Sequence, residues 1–119
     1  MDHRTLFADL KYRGRVRSIR RDYHVLEGSH HYVLFSGKDR AGGNYTIVPR
    51  AAVDYIIKQL SGTKSITTAE VFAACKRSKF IGDRFAVLNA LYAMVATDEA
   101  RISKVEGHTL FFGIRKRAG

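Results

Sequence analysis

The central part of the chain, residues 66–97, reads ITTAEVFAACKRSKFIGDRFAVLNALYAMVAT. Thr67 and Glu70 have the spacing of a capping box, in which each side chain accepts a hydrogen bond from the other residue's backbone N–H at the start of a helix. The helix that begins there has three residues for its buried face, which are Val71, Phe72 and Cys75. A turn over Arg77–Gly82 then ends this helix.

A longer helix follows the turn, and we predict it from Asp83 to Thr97. Apolar residues at helical spacing give it a core stripe of Phe85, Leu88, Leu91, Tyr92 and Val95. Because each residue advances about 100° around a helix, this phase turns a face of small residues outward. The outward face holds Asp83, Ala86, Ala90, Ala93, Met94 and Thr97, with Asn89 and Arg84 on its flanks.

Another helix precedes this pair. Pro49 opens it, since the missing N–H of proline costs nothing at a helix start, and Gly62 ends it. Its apolar stripe consists of Val53, Ile56, Ile57 and Leu60. Ile66 then forms one short strand before the capping box.

The chain after the long helix predicts a β-hairpin, with strands at residues 101–105 and 108–114 and a tight turn at Glu106-Gly107. Helix, short strand, helix, turn, helix and two-stranded hairpin is the element order of a winged helix-turn-helix, and residues 49–115 resemble that superfamily. The resemblance implies binding of double-stranded DNA. The third helix would enter the major groove, and the hairpin would lie along the backbone or in the minor groove.

Residues 1–48 are expected to add a β-hairpin region that packs on this unit. Thr5–Tyr12 is predicted as a short helix. The segments with strand character are residues 23–26, 32–35 and 45–48. The predicted fold class is therefore α+β, a winged helix-turn-helix with an N-terminal β-hairpin region and a basic tail at 116–119.

The charge balance favours a polyanionic partner. The chain of 119 residues carries 21 Lys and Arg against 11 Asp and Glu, a net charge of +10 at pH 7. Its densest basic run lies between Lys11 and Arg21 and contains no acid. Arginine dominates this run, and its guanidinium binds phosphate with two parallel hydrogen bonds. The candidate DNA-binding residues are Arg13, Arg15, Arg17, Arg20, Arg21, Lys38, Arg40, Lys76, Arg77, Lys79, Arg84, Asn89 and Lys104.

Length and composition exclude several other classes. A chain of this length with 45% apolar residues forms one compact domain and is not disordered. A single cysteine, Cys75, excludes a disulfide framework and a zinc site with several cysteines. No apolar run reaches the length of a transmembrane helix, and the first residues lack the apolar core of a signal peptide. We therefore expect an intracellular protein, cytoplasmic or in the nucleoid or nucleus, without a membrane partner.

Three alternatives to duplex binding remain open at this point. The outward face of the third helix is poor in side chains that read base edges, and its alanines would let another helix approach closely. A homodimer or a larger protein assembly through Ala86, Ala90 and Ala93 is thus one alternative. RNA binding is another. Tyr32, Phe35 and Tyr45 are expected in the core or within the sheet, and exposed aromatic residues on that sheet would favour RNA or a single strand.

The weakest alternative is catalysis. Asp22, Glu27 and Asp39 together with Lys38 have the loose spacing of acids and lysine found in metal-dependent nucleases. Metal ligation needs three or four convergent groups, and no spacing of the five histidines offers them. We therefore predict a protein that is not an enzyme and holds no cofactor or metal.

Overall fold

The computed structural model describes residues 9–19, 21–37 and 43–116, and the protein is an α+β fold. The elements within these ranges are β1 (Lys11–Arg17), β2 (Asp22–Glu27), β3 (His31–Gly37), β4 (Gly43–Pro49), α1 (Arg50–Leu60), β5 (Ile66–Thr67), α2 (Thr68–Ala74), α3 (Arg84–Ala96), β6 (Ala100–Glu106) and β7 (Thr109–Ile114). None of these helices is both long and apolar enough to cross a lipid bilayer.

The first half is a four-stranded antiparallel sheet in the order β1-β2-β3-β4, which is larger than the predicted hairpin. The basic run after Lys11 is not a free arm, because its first residues form the edge strand β1. The helix predicted over Thr5–Tyr12 is wrong at its end, since Tyr12 lies in β1, and its first residues fall outside the described ranges. A bulge at Arg13 shifts the β1–β2 register, and Gly14 beside it takes a φ of 129° that favours glycine.

The second half contains the elements that its local signals predict. Thr67 and Glu70 form the capping box, with the Thr67 side chain accepting from Glu70 N and the Glu70 carboxylate accepting from Thr67 N. Asp83 caps α3 by accepting a hydrogen bond from Ala86 N at 2.8 Å. The hairpin is present, but its turn is Gly107-His108, one residue later than predicted. Strands β5, β7 and β6 form a second sheet in that order.

Helix α3 is buried between the two halves, which corrects its predicted orientation. It packs on all four strands of the first sheet as well as on α1, α2 and β6. Ala90, Ala93 and Met94, predicted to face outward, are 0% exposed, whereas Phe85, predicted in the core, is 76% exposed. The sequence of α3 has only Arg84 and Asn89 as polar residues, so its apolar positions define no single stripe. Ala90 and Ala93 are therefore not accessible to a second copy of the chain, whereas Ala86 is half-buried.

One hydrophobic core spans both halves of the chain. Val25 and Leu34 of the first sheet belong to the same buried cluster as Ile56 of α1, Leu91 of α3 and Phe112 of β7. Cys75, the C-cap residue of α2, is also buried in this cluster, as predicted. Because the halves share a core, the position of the first sheet decides which surfaces of the helical half remain accessible.

Candidate nucleic-acid interface

The four-stranded sheet has one face in the core and one face turned away from it. Side chains alternate between the two faces of a strand, so paired residues on neighbouring strands share a face. The core face carries Val16, Val25, Tyr32, Leu34 and Val48. On the outer face, the register aligns Arg15, His24, Phe35 and Tyr45 in one row across the sheet. The adjacent row is Tyr12, Leu26, Val33 and Ile47, in which Leu26 is half-buried and Val33 is only 2% exposed.

Aromatic side chains dominate the exposed part of this outer face. Tyr12 is 56% exposed, Phe35 36% and Tyr45 59%, with Ile47 beside them at 47%. The Phe35 and Tyr45 ring centroids lie 6.5 Å apart. The Tyr12 ring lies 5.8 Å from the imidazole of His24. We call Tyr12, His24, Phe35, Tyr45 and Ile47 the aromatic face.

Two of the predicted arginines lie on the same side of the sheet. Arg15 continues the row of His24, and Arg17 is its neighbour two residues along β1. Arg15 is paired with Asp22 at 3.7 Å, an ion pair that solvent screens. Between described residues no ion pair involves Arg17. The aromatic face is therefore flanked by guanidinium groups along its β1 edge.

Arg13 takes no part in this surface, because Glu27 holds it on the other side of the sheet. The Glu27 carboxylate lies 3.1 Å from Arg13 Nη1 and 2.7 Å from Arg50 Nη2. Arg50 also donates to the Gly28 carbonyl at 2.8 Å and to the Tyr32 hydroxyl at 3.1 Å. Its hydrogen bond to Glu27 raises the pKa of Arg50, and burial raises the pKa of Tyr32 to about 12. This network ties the start of α1 to the β2–β3 turn.

The same network argues against a nuclease site. Glu27 lies between two guanidinium groups, and Asp22 is at the opposite end of β2. The structure therefore does not bring these two acids together, while Lys38 and Asp39 lie outside the described residues. Within the described part of the chain, no group of three His, Cys, Asp or Glu residues is placed to hold a metal ion. Burial raises the pKa of the Cys75 thiol, which disfavours the reactive thiolate.

A second basic surface lies in the helical half. Lys76, Arg77 and Lys79 are exposed in the α2–α3 connection, and we call them the basic turn. Lys79 Nζ lies 5.5 Å from the ring centroid of Phe80, which is also exposed. A depression of about 470 Å³ beside the basic turn is lined by Tyr55, Gln59, Ala73, Ala74, Lys76 and Arg77.

The other predicted DNA-binding residues are scattered. Arg84 is exposed in the first turn of α3, but Asn89 is half-buried. Lys104 on β6 is paired with Glu106 at 2.6 Å and lies over the Phe111 ring. Arg21 is exposed at the β1–β2 connection. The remaining three, Arg20, Lys38 and Arg40, lie outside the described residues.

The sequence predicts that the aromatic residues of the first half lie in the core or within the sheet. In the structure, some of them are buried and others are exposed. Tyr32 is buried, as expected, but Phe35 and Tyr45 are exposed on the outer face. The exposed Tyr12 was not singled out at all. Its position in the sequence was informative, because Tyr12 lies within the basic run that forms β1.

Comparisons with known proteins identify no relative of this chain. No protein-family model matches the chain, and no curated protein or solved structure matches it. The case for a function therefore rests on the chemistry of the aromatic face and the basic turn.

Proposed function

We propose that this protein binds single-stranded nucleic acid on the aromatic face. The observation that carries the proposal is the exposure of Tyr12, Phe35 and Tyr45 on one side of the sheet, with Arg15 and Arg17 beside them. Unpaired bases stack on exposed aromatic rings, and each such contact is worth about 1–3 kcal/mol by alanine substitution. Arginine side chains bind the phosphates between those bases.

The dimensions of the face suit a short extended strand. Neighbouring strands of a sheet lie about 4.8 Å apart, so β1 and β4 are separated by about 14 Å. Tyr12 and Tyr45 stand on these two outermost strands, and Phe35 lies between them on β3. A four-stranded sheet that stacks two or three bases is a known mode of RNA recognition. The net charge of +10 adds attraction that does not depend on sequence.

Binding of duplex DNA through the third helix has less support. The element order of residues 49–115 and the sheet β5-β7-β6 support assigning this half to the winged helix superfamily, and we propose that assignment. A winged helix inserts its third helix into the major groove. Here the first sheet covers most of α3 and leaves Arg84 and Phe85 of its first turn exposed.

Duplex binding remains the second candidate because of the basic turn. Lys76, Arg77 and Lys79 are exposed together at the connection that leads into α3. Three cations on one short connection suit the phosphate backbone of a duplex, without base readout. This surface belongs to the helical half, whereas the aromatic face is on the far side of the sheet.

The test compares binding to short single-stranded RNA, single-stranded DNA and duplex DNA by fluorescence anisotropy. We expect the single strands to bind more tightly than the duplex, and Tyr45→Ala to weaken single-strand binding about tenfold. Phe80→Ala is the matched control, because Phe80 is an exposed aromatic residue in the helical half. Tighter duplex binding that Tyr45→Ala leaves unchanged would overturn the proposal and favour the basic turn. Comparison of the two single strands reports whether the ribose 2′-hydroxyl contributes.

A further inference from the structure

A groove of about 450 Å³ lies between the β1–β2 connection, the first turns of α3 and the β6–β7 turn. This volume is in the range of sites for small ligands. The lining residues that matter here are Ile19, Arg21, Tyr23, Phe85, Tyr92 and His108. The groove adjoins the end of β1 that carries Arg17, so it lies next to the arginine edge of the aromatic face.

Aromatic rings form one side of this groove and are held in place. Tyr23 stacks on Tyr92 with ring centroids 4.9 Å apart and an angle of 27° between the planes. The hydroxyl of Tyr92 is hydrogen-bonded to the hydroxyl of Ser18, which ties the β1–β2 connection to α3. Phe85 also lines the groove and is the most exposed of the large apolar residues in the described ranges. Tyr92 is only 2% exposed, so Phe85 is the ring that a ligand in this groove can contact over its flat face.

The charge of the groove selects an anion. Its lining includes Arg21 and His108 and, of the residues that the structure describes, no acidic side chain. Among the described residues, neither of these two side chains forms an ion pair. A ligand that contacts both the exposed ring of Phe85 and the guanidinium of Arg21 is a flat aromatic group joined to a phosphate, which is the chemistry of a nucleotide.

We propose that this groove binds one nucleotide, with its base against Phe85 and its phosphate between Arg21 and His108. The inference rests on the proposed function in one respect, which is that this nucleotide belongs to the strand bound on the aromatic face. Arg17 and Arg21 stand on either side of the short connection that separates the two surfaces. A strand that leaves the aromatic face along β1 passes these arginines and reaches the groove.

The experiment titrates isotope-labelled full-length protein with adenosine monophosphate and follows the backbone amide signals by NMR. Adenosine and inorganic phosphate are the two partial probes. We expect millimolar adenosine monophosphate to shift the amides of Ile19, Tyr23 and Phe85, with adenosine and phosphate each giving smaller shifts. Phe85→Ala should weaken adenosine monophosphate binding about tenfold. Because Phe85 is exposed, this variant keeps its fold, and Phe80→Ala is the matched control that leaves binding unchanged.

Several outcomes would overturn the nucleotide site. The absence of shifts around the groove would do so, as would equal affinity in the Phe85→Ala variant. Shifts of equal size with inorganic phosphate alone would show a simple anion site and remove the base contact. Equal shifts with adenosine alone would contradict the proposed phosphate contact. Unchanged adenosine monophosphate affinity in the Arg21→Ala variant would contradict it as well.

The test also separates this site from the aromatic face. Tyr45→Ala changes only the aromatic face, so the groove should still bind adenosine monophosphate in that variant. If Tyr45→Ala leaves single-strand binding intact while Phe85→Ala weakens mononucleotide binding about tenfold, the proposed function is wrong and the nucleotide site in the groove is supported. If the mononucleotide does not bind but Tyr45→Ala weakens single-strand binding, the nucleotide site in the groove is wrong and the proposed function is supported.

Discussion

The hydroxyl of Tyr12 lies 2.8 Å from Nδ1 of His24, across the β1–β2 ladder of the sheet. This hydrogen bond orients an exposed tyrosine ring on a strand whose other exposed side chains are mostly arginine and lysine. The ring therefore lies on the outer face of the strand that also carries Arg15 and Arg17, instead of packing into the core. A fixed aromatic ring next to cations is the combination that a base and its phosphate require.

Removal of the Tyr12 ring should weaken single-strand binding. Tyr12→Ala deletes one stacking partner, for which we expect a loss of about 1–3 kcal/mol in binding free energy. Tyr12→Phe retains the ring and loses only the hydrogen bond to His24, so it should bind nearly as well as the original protein. Fluorescence anisotropy with a single-stranded oligonucleotide measures both. Val105→Ala, an exposed apolar residue on β6, is the control, and an equal loss in that variant would contradict the assignment.

Salt should weaken binding in proportion to the phosphates contacted. For roughly three to five contacts on a single strand, log K should fall linearly against log salt with a slope of about −2 to −4. Arg17→Ala should make this slope shallower, because it removes a cation beside the aromatic face. Affinity that does not change across the salt series would show that phosphate contacts are absent and that the net charge of +10 serves another purpose.

The basic turn should be dispensable for single strands. A combined substitution of Lys76, Arg77 and Lys79 by alanine should weaken duplex binding, since it removes three exposed cations from one surface. Single-strand affinity should change by less than about threefold, because the aromatic face and its arginines are intact. Parallel titrations of both nucleic acids measure the two effects. A larger loss for the single strand than for the duplex would place the strand on the helical half.

Ala90→Glu should unfold the protein instead of altering its oligomeric state. Ala90 is fully buried in α3, so the substitution places a carboxylate in the core without a partner. Burial of such a charge costs several kcal/mol, about as much as the total stability of many small domains. Thermal unfolding followed by circular dichroism measures the loss. Phe85→Glu on the exposed turn of the same helix is the control, and a folded Ala90→Glu variant would contradict the packing of α3 on the sheet.

Stability should fall steeply at alkaline pH because of Tyr32. Burial raises its pKa from 10.0 to about 12, so the folded protein retains a proton that the unfolded chain releases. The contribution of Tyr32 is therefore fully present below pH 10 and is lost as the pH rises towards 12, by roughly 2–3 kcal/mol in total. Urea unfolding across this range measures the loss. Tyr32→Phe should reduce its steepness, and an unchanged pH dependence in that variant would assign the effect to other groups.

The local signals of the sequence determined most of the second half. The Thr67–Glu70 capping box, the Asp83 cap and the alternation before Gly107 each depend on residues close together in the chain. A cap satisfies backbone groups within one helical turn, and a tight turn joins two adjacent strands, so no distant contact is needed to specify either. The helix bounds and the hairpin could therefore be predicted from the sequence.

Only the tertiary structure decided the orientation of α3 and the exposure of the aromatic face. Alternation in β3 and β4 shows that these strands have two faces, but not which face another element covers. Helix α3 is apolar on all sides, so its phase depends on the sheet that packs against it, and that sheet includes β1 from a run of basic residues. Because α3 and α1 pack on the face of β3 that carries Tyr32 and Leu34, Phe35 stands on the opposite face next to Tyr45, where it is 36% exposed. Whether a side chain is buried depends on residues far away in the sequence that pack against it. For this physical reason, the candidate site could be recognised only from the tertiary structure.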